Sequence, residues 1–165
     1  MRTLGVLAAL AVALIIQTSL PAAAPVDLVL VVVVASALAS GPMTGLVAGT
    51  LGGLIQDALS TGILGMGGLA KTVVGFAAGR FATQFIVTAT IPRLLVFAAA
   101  TTAHAALFMG LYSLLGLRSF PDPVTSVATQ AVANAVIGVV GVRMVDAFPG
   151  MVERRRANRG MRVKR

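Results

Sequence analysis

Residues 41–57 read GPMTGLVAGTLGGLIQD, in which every fourth residue from position 41 to position 53 is a glycine and the next step of four is an acid, Asp57. On a helix this spacing produces a strip without side chains along one face. Such a strip allows a second helix to approach closely in lipid. We therefore predict helix-packing faces, which serve either the protein's own helices or a partner's, at Gly41, Gly45, Gly49, Gly53, Gly75 and Gly79.

The composition is that of an integral membrane protein. The chain has 165 residues, of which 58% are hydrophobic and 11% are charged, and its mean hydropathy is +0.97. Since one span takes about 20 apolar residues, membrane helices would use nearly the whole chain. The absence of cysteine excludes disulfides and thiol chemistry. The sequence contains no recognisable metal site, cofactor motif or catalytic nucleophile, so we predict that the protein is not an enzyme.

Six apolar runs, separated by proline, glycine and charged residues, predict a compact all-α bundle of six transmembrane helices. The runs are Leu4–Leu20, Val26–Ala39, Met43–Leu59, Gly67–Phe81, Ile91–Leu117 and Val124–Val145. They form a predicted transmembrane domain at residues 1–152, followed by a basic tail at 153–165.

The positive charges predict the orientation in the membrane. Seven of the thirteen basic residues lie in the tail, at Arg154, Arg155, Arg156, Arg159, Arg162, Lys164 and Arg165. Because cytoplasmic segments carry the excess of Lys and Arg, we expect a multi-pass membrane protein with both termini in the cytoplasm. A basic segment directly after a span favours contact with anionic lipid over nucleic acid.

The N-terminus has a second interpretation. Arg2, the apolar run after it and Ala22–Ala24 together resemble a secretory signal with a small-residue cleavage site. Its removal would leave five spans, and sequencing of the mature N-terminus would distinguish the two forms.

Asp57 is the polar residue that most needs an explanation, because a carboxylate near the C-terminal end of a helix opposes the helix dipole. It is either hydrated, or caps the next segment, or pairs with a cation. The best candidate for such a cation is Lys71, since Asp57 and Lys71 each lie seven positions from Leu64 and a hairpin there would bring them to similar depth. Such a pair predicts that a Lys71→Asp/Asp57→Lys exchange restores function.

Three further polar residues lie inside predicted spans. His104 is the single histidine of the chain, and we expect it to form an interhelical hydrogen bond. Gln130 and Asn134 lie one turn apart in the sixth run and form a polar face that either joins helices or lines a cavity.

The end of the glycine strip and the segment that follows it resemble the rod shape-determining protein family MreD. The resemblance lies in Gly-Gly-Leu-Ile-Gln-Asp at 52–57, Leu64-Gly65 and Leu69-Ala70, and in the length, the six apolar runs and the basic C-terminus. Residue by residue, the matching motif positions are Gln56, Asp57, Leu64 and Gly65. With Lys71 they form the predicted partner-binding or structural polar site.

The resemblance implies a non-enzymatic scaffold of the elongasome in the bacterial inner membrane, required for rod shape and lateral peptidoglycan synthesis. The implied direct partner is MreC, with MreB, RodA and a class B penicillin-binding protein in the wider complex. Whether the chain also forms a homo-oligomer stays open. The chain is also similar in outline to the S components of energy-coupling-factor transporters, so the alternative is a vitamin-binding S component or another small-solute transporter.

Overall fold

The structure is a computed structural model that describes residues 2–21, 24–60, 62–85, 87, 89–117 and 122–162, with side chains from residue 3 to residue 147 within these ranges. Every regular element in the described ranges is a helix. The helices are α1 (Arg2–Ser19), α2 (Leu28–Ser40), α3 (Pro42–Leu59), α4 (Met66–Gln84), α5 (Thr90–Leu114) and α6 (Pro123–Arg162). Each apolar run of the sequence therefore corresponds to one helix, and the all-helical prediction is confirmed.

The helices differ in their capacity to cross a membrane. Within the described residues, two segments are long and apolar enough by length and composition, Thr90–Leu114 and Pro123–Ala147. Thr3–Ser19 and Leu28–Ser40 are apolar but shorter. At ~1.5 Å per residue, the 13 residues of α2 extend over about 20 Å, which is less than the roughly 30 Å of a bilayer's hydrocarbon core. Crossing by all six helices stays a prediction.

The last helix does not end where the sequence predicted the tail to begin. α6 has 40 residues and continues from the sixth apolar run into the basic segment. The side chains of Arg154, Arg155 and Arg156 lie outside the described residues, so their predicted contact with lipid stays a prediction. Ala22 and Ala23 of the signal-peptide interpretation also lie outside them.

α2 occupies the centre of the bundle. Its residues Val31–Val34 are four consecutive valines, a composition that favours strands in water. Burial against the other helices, together with the need to satisfy backbone hydrogen bonds within the segment in an apolar medium, favours the helix instead. One apolar cluster joins α2 to α4, α5 and α6 through Leu30, Val31, Val34, Ala37, Val74, Ala78, Phe97, Ala100, Ala135 and Val139.

α1 packs on the opposite side of α2. Leu10, Ala13 and Leu14 are buried in a second cluster with residues of α2 and α3. Gln17 attaches the end of α1 to the start of α2, because its Nε2 donates to the carbonyl of Val26 at 3.1 Å and its Oε1 accepts from the N–H of Leu28 at 2.8 Å. The first helix is thus an integrated part of the bundle.

The glycines of α3 and α4 determine how closely these two helices pack. A Cβ at Gly45 would overlap the carbonyl oxygen of Gly75, and a Cβ at Gly49 would overlap the carbonyl of Lys71. A Cβ at Gly53 would lie 2.5 Å from Cα of Gly68. The two backbones therefore touch along most of the length of α3.

The predicted strip needs one correction, at its beginning. Gly41 is not a close-packing position within α3: it joins α2 to α3 with φ +90°, and a Cβ there would meet nothing within 4 Å, although its carbonyl carbon would lie 2.8 Å from a Cβ at Gly79 of α4. Its role is conformational, since the left-handed region favours glycine. Pro42 follows at the first position of α3 and contacts Gly79 near the end of α4. The packing strip thus consists of Gly45, Gly49 and Gly53, opposed by α4.

The bundle has two polar ends. We call the first the Asp27 end; it contains Asp27, the α3–α4 loop and the end of α5, where the Tyr112 hydroxyl accepts a hydrogen bond from the N–H of Ile63 at 3.0 Å. We call the second the Arg93 end. There, Arg93 at the start of α5 forms an ion pair with the exposed Asp146 of α6, with 2.9 Å between Arg93 Nη1 and Asp146 Oδ2. Arg143 of α6 donates to the hydroxyl of Thr90.

Candidate functional site

An ion pair is buried between α2 and α4 near the Asp27 end. Lys71 Nζ lies 2.7 Å from Asp27 Oδ2, and the side chains are 3% and 7% exposed. Lys71 is the sixth residue of α4, so its Cα lies about 8 Å from the start of the helix. An isolated ammonium at this depth would be strongly unfavourable, and the carboxylate compensates its charge.

His104 is the second partner of Lys71. Its Nε2 lies 3.3 Å from Lys71 Nζ, across the α4–α5 interface. Because an ammonium group only donates hydrogen bonds, Nε2 acts as the acceptor and the imidazole proton lies on Nδ1. The expected interhelical hydrogen bond of His104 is confirmed.

Asn134 connects this pair to α5 and α6. It is fully buried; its Oδ1 accepts from the backbone N–H of Asp27 at 3.0 Å, and its Nδ2 donates to Thr101 Oγ1 at 3.2 Å. Asp27 Oδ1 in turn accepts from the N–H of Leu30 at 2.9 Å, which caps α2. Asp27, Lys71, His104, Thr101 and Asn134 thus form one buried network that joins α2, α4, α5 and α6.

Of the three roles considered for Asp57, the structure shows the capping of the next segment. Its Oδ2 accepts from the N–H groups of Gly65 at 2.9 Å and Gly68 at 3.0 Å, and both belong to the start of α4. The first N–H groups of a helix have no partner within the helix and favour negative charge. Asp57 is therefore the cap of the next segment, and Lys71 pairs with Asp27 instead of with Asp57. The seven-residue symmetry about Leu64 does not produce a contact.

The motif residues between Asp57 and Lys71 form the turn into α4. Leu64 is 65% exposed, and Gly65 has φ +97° at the N-terminal cap position. A left-handed residue whose N–H points back to Asp57 explains why glycine is suited to this position. The Asp57 carboxylate and Gly65 therefore act together in closing the α3–α4 hairpin.

A cavity of about 280 Å³ lies against the buried network; we call it the Gln56 cavity. Gln56 Oε1 is buried and has no hydrogen-bond partner among the described residues. An acceptor in this condition loses its hydration without compensation. The polar residues of the wall are Asp27, Gln56, Asp57, Ser60, Lys71, His104 and Gln130, and Phe108 and Met109 are on the apolar side.

A second concave surface, the α4–α5 groove, is apolar throughout and has a volume of about 500 Å³. Its α5 wall has residues at intervals of four, namely Leu95, Ala99, Ala103 and Leu107, and its α4 wall includes Val73, Ala77 and Phe81. Ala99 and Ala103 are exposed and small. Over twelve residues of α5 the groove extends about 18 Å at ~1.5 Å per residue.

Asp27 was not among the predicted site residues. One signal for its local role was available, because an acid directly before an apolar run is typical of a helix N-cap. No comparable signal indicated its pairing with Lys71, 44 positions away. Of the two polar residues predicted on α6, Asn134 belongs to the buried network and Gln130 lines the cavity.

The family model for the rod shape-determining protein MreD matches residues 3–148 of this chain. Searches of curated proteins and of solved structures found no match. The matched residues include the hairpin motif, the buried network and both concave surfaces. The chain therefore belongs to the MreD family of rod shape-determining proteins.

Proposed function

We propose that the chain is a non-enzymatic inner-membrane scaffold of the cell-elongation machinery that binds MreC and thereby serves lateral peptidoglycan synthesis. Membership of the MreD family makes it a membrane protein of the cell-shape machinery. MreB, RodA and a class B penicillin-binding protein belong to the wider complex in this proposal. The six helices cross the membrane, both termini are cytoplasmic and the Asp27 end faces outward, in accordance with the distribution of Lys and Arg.

The α4–α5 groove is the surface that we assign to MreC, and it is the observation that carries this proposal. We expect MreC to present one transmembrane helix here. The small residues Ala99 and Ala103 permit a helix backbone to approach α5 closely, and the leucines four residues before and after them flank the contact. The apolar wall suits a helix that is itself surrounded by lipid, since no polar group of the groove is left unpaired.

The glycines of α3 are not a binding surface for MreC. Gly45, Gly49 and Gly53 are already covered by α4, so these small-residue contacts belong to the fold itself. A partner helix therefore needs a separate surface, which favours the α4–α5 groove.

The alternative function, a vitamin-binding S component or another solute transporter, has less support. Ligand pockets of this kind enclose about 300–1,000 Å³ and are rich in aromatic side chains. The Gln56 cavity has about 280 Å³ and one aromatic residue in its wall, Phe108. The small volume and the single aromatic residue therefore favour the scaffold over a vitamin-binding protein.

Copurification with MreC tests the proposal. Ala99→Phe and Ala103→Phe place a phenyl ring in the groove, and the matched control Val136→Phe places one on an exposed position of α6. We expect each groove variant to retain less than about a tenth of the MreC bound by the unchanged protein, equivalent to more than about 1.4 kcal/mol, and the control to retain most of it.

Size-exclusion profiles and helical circular dichroism verify that all variants fold. Full MreC recovery with both groove variants would refute the assignment of the groove. Absence of MreC from the unchanged protein, together with a retained vitamin-like compound, would favour the transporter.

A further inference from the structure

The Gln56 cavity has more hydrogen-bond acceptors than the surrounding protein uses. Gln56 Oε1 is buried without a partner among the described residues. Asp57 directs one oxygen, Oδ2, to both Gly65 and Gly68, and its Oδ1 receives no hydrogen bond from the described residues. Two acceptors at adjacent positions of α3, both on residues of the cavity wall, thus lack a donor from the described residues.

The charges of the wall indicate the sign of that molecule. Asp27 and Lys71 neutralise each other at 2.7 Å, and His104 accepts from Lys71 as a neutral imidazole. The carboxylate of Asp57 is then left as the net charge of the wall. The combination favours a positively charged hydrogen-bond donor.

The unpaired amide has a consequence for stability. A leucine at position 56 would have nearly the same size and would remove the unsatisfied buried acceptor, so the fold would be more stable with it. A residue that the fold alone does not favour is typical of a binding position, where stability is exchanged for recognition.

We infer that the Gln56 cavity binds a small primary ammonium compound, with the ammonium group donating to Gln56 Oε1 and Asp57 Oδ1. The volume of about 280 Å³ favours a ligand with a few carbon atoms beside the amine. This site lies at the Asp27 end and shares no residue with the α4–α5 groove, so it is independent of the proposed binding of MreC.

Thermal unfolding of the purified full chain in detergent, without MreC, tests the inference with three probes of equal length. We expect propylammonium to raise the melting temperature in a saturable manner, whereas propionate and 1-propanol do not. The propanol measurement controls for general effects of the alkyl chain on the micelle. Stabilisation by propionate, equal shifts with all three probes, or no shift with any probe would overturn the inference.

Two substitutions at Gln56 connect the effect to this cavity. Gln56→Leu should raise the melting temperature of the unliganded protein and weaken propylammonium binding by about tenfold or more, the effect of one lost charge-assisted hydrogen bond. Gln56→Glu, which retains an acceptor oxygen, should preserve binding. Gln84→Leu, the same change at an exposed position at the end of α4, should alter neither quantity. Unchanged propylammonium affinity in Gln56→Leu, or a lower unliganded melting temperature, would contradict the inference.

Discussion

Removing one member of the Asp27–Lys71 pair should destabilise the bundle more than removing both charges together. Lys71→Met retains most of the side-chain volume but leaves the Asp27 carboxylate at 7% exposure without its cation. Asp27→Asn retains the capping oxygen for Leu30 but leaves the Lys71 ammonium with His104 alone. Each single change creates a buried charge without a counter-charge, for which losses of about 3–5 kcal/mol are typical.

The double variant has no such charge. Asparagine still caps α2 and methionine still fills the space of Lys71. What remains are His104 Nε2 and the amide Nδ2 in place of Asp27 Oδ2, an acceptor and a donor that both faced Lys71 Nζ. We expect partial pairing between them, so the remaining cost is that of about one unpaired buried group, about 1–3 kcal/mol. The two single losses together would be about 6–10 kcal/mol, so the pair should show a coupling free energy of at least about 3 kcal/mol in a double-mutant cycle.

Equilibrium unfolding in mixed micelles with increasing dodecyl sulfate measures these free energies. Circular dichroism at the helical band is the suitable signal, because the chain has no tryptophan and one tyrosine. The exchange Lys71→Asp/Asp57→Lys is the control for position, and we expect it to recover no stability, since Asp57 belongs to the cap of α4. A double variant as unstable as the sum of its parts, or recovery in the exchange, would refute the assignment of Asp27 as the partner.

Two further predictions concern close packing and orientation. Gly49→Ala should destabilise the bundle by about 1–3 kcal/mol or more, because its Cβ would overlap the Lys71 carbonyl. Gly141→Ala, with open space around it, should have a free energy of unfolding within about 0.5 kcal/mol of the unchanged protein. The same unfolding in micelles measures both variants, and equal losses would contradict the packing assignment. The chain has no cysteine, so Ser60→Cys introduces a single thiol at the Asp27 end, after α3, and Gln84→Cys introduces one at the other end of the bundle, at the end of α4. A membrane-impermeant maleimide should label the first variant in intact spheroplasts and the second only after lysis. The reverse pattern would refute the proposed orientation.

Local patterns accounted for the helices and their turns. The apolar runs and the breakers between them predicted six helices with ends mostly within two or three residues of those observed. These features were predictable because helix formation, capping and termination depend on residues close together in the chain. For the same reason, capping of the next segment was among the roles considered for Asp57, whose partners at Gly65 and Gly68 lie 8 and 11 positions away.

The glycine spacing was informative in a more limited way. It predicted that α3 has a face for close helix packing, and Gly45, Gly49 and Gly53 form that face. It could not distinguish α4 from an external partner as the covering helix, because a strip without side chains fits any helix that also has small residues. Gly41 was assigned to the strip by spacing alone, although its φ of +90° places it in a turn.

The choice of counter-charge for Lys71 was decided by tertiary structure alone. The sequence by itself determined a hydrophobic helical protein with a few polar residues in its spans. It contained two acids, Asp27 and Asp57, either of which could in principle be the counter-charge of Lys71. Proximity along the chain favoured Asp57 as the partner. The close packing of α3 and α4 at their glycines, however, places the first turn of α4 where its N–H groups donate to the Asp57 carboxylate. α2 packs at the centre and brings Asp27 to within 2.7 Å of the ammonium. A buried charge is stabilised by the carboxylate that helix packing delivers to it, whatever the number of residues between them.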